Sequence, residues 1–155
     1  PADRKRMYQY IQNKAILCGY KTVQQLRYSR TEKQYGYSLL TGFPMCYQSD
    51  PEREILQDFP YPVDSLAEAN RLFRYARLTD PDVGKLDNEI CILGGQQLYQ
   101  DAMNSPLLSK IILTEIKETY EGDRFFPEID LKVWEITDTL FKDDATIYVY
   151  QRKPK

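Results

Sequence analysis

Apolar positions along this chain follow two spacings, and the alternation between them sets out the elements. Residues 1–12 carry Met7, Tyr10 and Ile11 at i, i+3, i+4, which predicts a helix with Asp3 as its N-cap. Residues 14–18 are then apolar almost without a break, as in a strand buried on both faces, and Gly19 ends the run. A short helix is predicted over 20–26, a polar loop over 27–36 and a third strand over 37–41. Residues 42–62 hold prolines 44, 51, 60 and 62 with little periodicity, so they read as irregular surface chain with a short strand near Phe59. Ser65-Leu-Ala-Glu68 is a capping box. It opens a helix to about Tyr75 whose core face is Leu66, Ala69, Leu72 and Phe73. Residues 79–88 read as loop.

A second continuous apolar run, 90–93, suits a strand buried on both faces, and Gly94-Gly95 break it. Residues 96–103 read as a helix with Leu98, Ala102 and Met103 on one stripe. Strands follow over 109–117, 132–137 and 146–152, the last with Ile147 and Val149 alternating with Tyr148 and Tyr150. Strands that alternate with helices imply parallel crossover units, and the closing strands without helices imply antiparallel pairing. The expected fold is therefore α/β, a mainly parallel mixed sheet flanked by helices and finished by antiparallel strands. At 155 residues a single domain, 1–155, is expected.

Composition narrows the chemistry. Hydrophobic content of 42% fits a globular chain, and a net charge of −2 gives no general affinity for nucleic acid. No apolar run reaches the ~20 residues that span a membrane, and no secretory signal is visible, so a cytoplasmic location is expected. Cys18, Cys46 and Cys91 are widely spaced and read as small buried hydrophobes rather than disulfides or metal ligands. The chain has no histidine, which removes His-based nucleophilic triads and the common zinc sites. Acid–base work falls to carboxylate, tyrosine, lysine or water, and hydride transfer from a bound cofactor suits such a chain.

The stretch 89–103 is where this chemistry concentrates. A strand, a glycine turn and a helix N-terminus form a geometry that cradles phosphate, although two glycines alone also suit a plain tight turn. LGGQQLY (93–99), LTEI (113–116) and EGDRFFPEID (121–130) follow in an order and spacing that resemble the C-terminal half of dihydrofolate reductase. The resemblance extends to residues 14–22, which are similar to the family's strand ending in Gly-Arg-Lys-Thr.

The resemblance implies NADPH as cofactor and dihydrofolate or a related pterin as substrate. It implies that Gly19, Lys21 and Thr22 lie against the cofactor's phosphates, with Tyr20 where an arginine is usual. Leu39-Leu40-Thr41 resembles the strand end beside the adenosine. Gly94 and Gly95 match the family's diglycine, whose shared peptide is cis, with Gln96 next in the cradle and Tyr99 near the nicotinamide. Asp3, sixteen residues before Gly19, matches the acid that binds the pterin and promotes its protonation. Thr114 matches the threonine that supports that acid, and Met7 and Leu26 fall on the pterin side. Plainer readings stand beside these: Lys21 as a solvated lysine, Tyr99 as a packed helix residue, Thr114 as a β-branched strand residue.

The chain also departs from the pattern. Gln34-Tyr35-Gly36 stand where the family carries an arginine for the folate tail, and Arg4 sits beside Asp3, where it would lower the acid's pKa. The family's first strand, mid-sheet between the strands at 90–93 and 110–117, has no counterpart from Pro1 onward. Three outcomes follow: an upstream segment supplies it, a second chain supplies it, or the two edges pair directly. The alternative function is a reductase-fold protein that binds or assembles without catalysis. The related reductase domain of riboflavin synthesis is a weaker reading, against which 121–130 argues.

Overall fold

The computed structural model describes residues 2–19, 22, 42–47, 61–116, 128–143 and 145–154. The chain divides into two compact units, 1–99 and 100–155. The first runs α1 (Ala2–Ile11), β1 (Ala15–Gly19), β2 (Phe43–Tyr47), β3 (Tyr61–Val63), α2 (Leu66–Thr79), α3 (Pro81–Gly84) and β4 (Ile90–Ile92), then enters α4 (Gln96–Met103). The second holds β5 (Lys110–Ile116), β6 (Trp134–Phe141) and β7 (Ala145–Arg152).

In the first unit four parallel strands stand in the order β3-β2-β1-β4. Ala15, Ile16, Leu17 and Cys18 of β1 are each at most 1% exposed, as their unbroken apolar run predicts. Residues of β1 and β2 join Ala69, Phe73, Val83 and Leu98 in one core. Phe43 links the layers, stacking on Tyr61 at 4.3 Å and tilting against Phe73 at 5.8 Å.

Three expectations are corrected here. A buried central strand, β2, lies inside the 42–62 stretch read as irregular. Pro44 hid it, since proline lacks the N–H a ladder needs. On the β3 side, among the described residues, the ladder begins at Met45↔Tyr61, one residue past Pro44. The expected strand over 37–41 lies outside the described residues. Second, the loop expected over 79–88 contains a turn of helix. Asp80 closes α2 through its N–H to the Ala76 carbonyl and caps α3 by accepting from the Asp82 N–H at 2.9 Å. Third, α1 begins at Ala2, so Asp3 lies inside the first turn rather than at the cap.

The capping box at α2 forms with one change. Ser65 Oγ accepts from the Glu68 N–H at 3.0 Å, but the Glu68 carboxylate accepts from Asp64 rather than Ser65. Among the described residues β4 is paired on its β1 side and is half-buried, not buried on both faces as expected.

Where β1 and β4 begin, Lys14 joins both. Its Nζ lies 2.6 Å from Asp87 Oδ2 and 3.0 Å from Glu89 Oε1, and the Lys14 side chain is only 12% exposed. Tyr10 on α1 donates to the same Glu89 oxygen at 3.2 Å. Asn13 donates to Asp87 Oδ1 at 3.4 Å, and the Asp87 N–H bonds the Asn13 carbonyl at 3.0 Å. The hydrogen bond and charge of Lys14 hold the Asp87 carboxyl below its ordinary value of 3.8. A depressed folded-state pKa gives stabilisation that is fully present above the unfolded value and lost as pH falls through the folded one. Thermal melts are therefore expected to lose stability below about pH 4, and Asp87→Asn is expected to flatten that acid limb.

In the second unit the order is β5-β7-β6, antiparallel throughout, as the closing strands predict. Strand β6 runs to Phe141, past the expected end at 137. A bulge between Ile136 and Asp138 breaks the period, and Ile136, Leu140 and Phe141 are exposed. Ile111, Trp134 and Tyr150 form the core. The Arg152 guanidinium lies 4.5 Å from the centre of the Trp134 ring and donates to the carbonyls of Leu108 and Ser105.

Candidate functional site

The order β3-β2-β1-β4 means that the chain leaves β1 outward to β2 and β3, then returns to lay β4 on the other side of β1. The strand order therefore changes direction between β1 and β4, which makes the crevice past their carboxyl ends the switch point of this sheet. Open α/β sheets bind ligands at such a switch point.

The pairing of β1 and β4 continues past the strand ends into this crevice. Leu93 N–H bonds the Leu17 carbonyl at 3.0 Å, and Gly19 N–H bonds the Gly94 carbonyl at 2.6 Å. Three glycines make that approach possible. A Cβ on Gly19 would stand 3.2 Å from Gly95 N and 3.3 Å from Gly94 O, closer than ordinary packing. Gly94 has φ +113°, a region side chains avoid, and a Cβ there would meet the Tyr99 ring at ordinary contact distance. The Gly94–Gly95 peptide is cis. A Cβ on Gly95 would lie 3.3 Å from the Thr22 hydroxyl oxygen, so Thr22 borders the same bare backbone.

Helix α4 starts at the next residue. Its first ladder bond runs from Tyr99 N–H to the Gly95 carbonyl at 2.9 Å, so the amides of Gln96 and Leu98 precede any i→i−4 acceptor of their own helix. Leu98 is buried and Gln96 exposed, which pins the helix to the core while leaving its entry open. Burial raises the Tyr99 phenol above its ordinary value, with the Cys18 thiol adding to the effect. Cys18 is itself pushed up by burial, and no disulfide joins any of the three cysteines. Bare backbone, a hydroxyl and helix amides bearing the positive end of a dipole compose a cradle for an anionic, phosphate-bearing ligand.

Of the residues singled out in the sequence, Gly19, Thr22, Gly94, Gly95, Gln96 and Tyr99 meet in this unit at one crevice. Met7 is half-buried on α1, and Asp3 lies in the first turn of that helix, its side chain outside the described residues. Lys21, Leu26 and Thr41 also lie outside them. Thr114 is on β5 of the second unit, half-buried and level with Ile147. One bordering residue escaped the sequence reading. Tyr47 ends β2 in register with Gly19, next to the glycines on the β2 side, and packs half-buried against the core. Its signal, the run Phe43 to Tyr47, was masked by Pro44. Among the described residues no cluster of acidic, cysteine or histidine side chains could hold a metal, and no helix is long and apolar enough to cross a membrane.

The family described as dihydrofolate reductase matches residues 65–152. A viral dihydrofolate reductase of Saimiriine herpesvirus 2 (strain 488) is 40% identical over 72 residues, which are 46% of this chain and 32% of that protein. Dihydrofolate reductase of Aedes albopictus is 51% identical over 49 residues, 32% of this chain and 26% of that one. The Mus musculus enzyme is 39% identical over 67 residues, 43% and 33% respectively. The chain thus spans about a third or less of the length of these curated relatives. A solved dihydrofolate reductase from Enterococcus faecalis, complexed with NADP(H) and RAB-propyl, superposes with a TM-score of 0.68. It covers 99% of this chain and 83% of its own, and at 22% identity it speaks for the fold alone.

Proposed function

The chain belongs to the dihydrofolate reductase family, and on that premise we propose that it binds NADPH at the β1–β4 crevice and reduces dihydrofolate or a related pterin to the tetrahydro form. The observation that carries this reading is the meeting of Gly19 with Gly94-Gly95 at the switch point, directly before the N-terminus of α4. A diphosphate needs close backbone approach and the amides of a helix N-terminus, and this corner offers both.

When bound, NADPH supplies the hydride. The chain's own part is to hold and orient it: the Gln96 amide, the Thr22 hydroxyl and the Lys21 charge toward phosphate, and Tyr99 toward the nicotinamide. Asp3 is proposed to accept the pterin's N–H groups and to promote protonation beside the hydride acceptor, with Thr114 supporting it and Met7 and Leu26 giving the apolar wall. Excluding water around the acid keeps its proton affinity in a working range. The same reading expects a further strand, from elsewhere in the protein or from a second chain, along the side of β4 away from β1. It also expects a cytoplasmic enzyme.

The test is absorbance at the reduced-nicotinamide band on adding dihydrofolate to the protein with NADPH, paired with a titration of NADPH alone. Oxidation that depends on both reactants supports the reading; its absence in protein that binds NADPH would leave only the binding half. Gly95→Ala narrows the cradle by placing a methyl group against Thr22. It is expected to weaken NADPH about tenfold, or ~1.4 kcal/mol, with little change in melting temperature. An unchanged dissociation constant would place the phosphates elsewhere.

A second reading is binding without catalysis. Arg4 beside Asp3, and Gln34-Tyr35-Gly36 in place of the tail-binding arginine, favour it. It predicts that NADPH binds while dihydrofolate brings no turnover.

A further inference from the structure

The crevice lies at the carboxyl ends of β1 and β4, and the Lys14 cluster lies at their amino ends. Only three residue pairs separate the two: Ala15↔Ile90, Ile16↔Cys91 and Leu17↔Ile92. Strand β4 is three residues long and paired, among the described residues, on one side only. A ladder of three pairs leaves much of the register to the chain on either side of it. A slip of one residue would carry Gly94 out of level with Gly19 and bring Leu93 or Gly95 to the point where the two backbones meet.

We propose that Lys14 is a positioning residue for the dinucleotide crevice. Its ammonium, holding Asp87 and Glu89 together, sets the register of β4 on β1 and thereby the alignment of Gly94-Gly95 with Gly19. This rests on the crevice being the NADPH site. The observations that carry it are geometric. One ammonium, on a side chain that is 12% exposed, bridges two carboxylates at 2.6 and 3.0 Å. Glu89 directly precedes β4, Asp87 lies in the turn just before it, and Lys14 directly precedes β1. The backbone bond from Asp87 N–H to the Asn13 carbonyl reinforces the same junction. Tyr10 holds Glu89 from the α1 side, and the Lys14 ammonium sits 4.9 Å from the centre of its ring, so the cation is fixed from three directions. A solvated surface lysine would show none of this.

Three variants test the assignment. Lys14→Met keeps the stem and removes the charge, Lys14→Arg keeps the charge, and Val83→Ala destabilises the same core without touching the junction. Lys14→Met is expected to weaken NADPH about tenfold, in keeping with the sensitivity of bound geometry to small displacements. Its KM for NADPH should rise with kcat largely retained. Lys14→Arg should restore affinity to within about twofold, and Val83→Ala should lower the melting temperature without changing affinity. Amide hydrogen exchange reads the register directly, without any ligand. Protection at Leu93 and Gly19 should fall in Lys14→Met and persist in Val83→Ala. If Lys14→Met proves too unstable to purify, Asp87→Asn with Glu89→Gln replaces it under the same expectations. Equal affinity and equal protection in Lys14→Met and Val83→Ala would overturn the assignment. Failure of the unaltered protein to bind NADPH would instead overturn the cofactor reading, while the exchange data still decide the role of Lys14.

Discussion

Asp3→Asn is expected to lower the turnover of dihydrofolate by about 100- to 10,000-fold, the range for loss of a positioned acid–base group. The exchange keeps size and shape but replaces an anion having two acceptor oxygens with a neutral group having one acceptor and one donor. A pterin presenting two N–H groups then loses one partner and meets a donor in its place. Binding of NADPH, whose proposed cradle uses none of this side chain, should change less than twofold. The measurement is kcat against pH for both proteins beside an NADPH titration. A loss confined to kcat supports the acid's assignment. Full turnover in Asp3→Asn would move the proton to another group, and the first turn of α1 would then have a packing role alone.

Gly42→Ala is expected to be the most damaging single methyl in the first unit, at about 2–4 kcal/mol, combining a left-handed backbone penalty with overpacking. Gly42 has φ +74°, and a Cβ built there would overlap the Lys14 carbonyl oxygen, which is backbone and has little room to yield. Gly42 also directly precedes β2, so any shift is felt in the Ala15↔Phe43 pair at the start of the ladder. A urea midpoint lowered with an unchanged m-value is the expected signature. A midpoint within experimental scatter of the parent would mean that the chain relaxes around position 42 more freely than its packing implies.

How far the sequence reaches is best judged element by element. Strand β1 and the diglycine turn were legible because a continuous apolar run ending in glycine has few other readings. Helix α2 announced its start through Ser65 and Glu68, but its end was missed by four residues, since Tyr75 and Leu78 are exposed and blur the stripe. Strand β2 was hidden by Pro44, and what makes it a strand is its place between β1 and β3, a tertiary fact with no local signal. The Lys14 junction is of the same kind. Lys14 and Asp87 are 73 positions apart, and nothing near either residue points to the other. At the crevice, the glycines and Thr22 were found through spacing and resemblance, whereas Tyr47 required the register of β2 against β1.

Trp134 is the chain's single tryptophan, held beneath Arg152 in the three-stranded sheet. Its emission is therefore a private reporter for residues 100–155. Denaturation followed at tryptophan wavelengths traces that unit, and far-ultraviolet dichroism, weighted by α1 and α2, traces mostly residues 1–99. Superimposable curves would show the two halves melting as one cooperative body, and separated curves would give each its own midpoint.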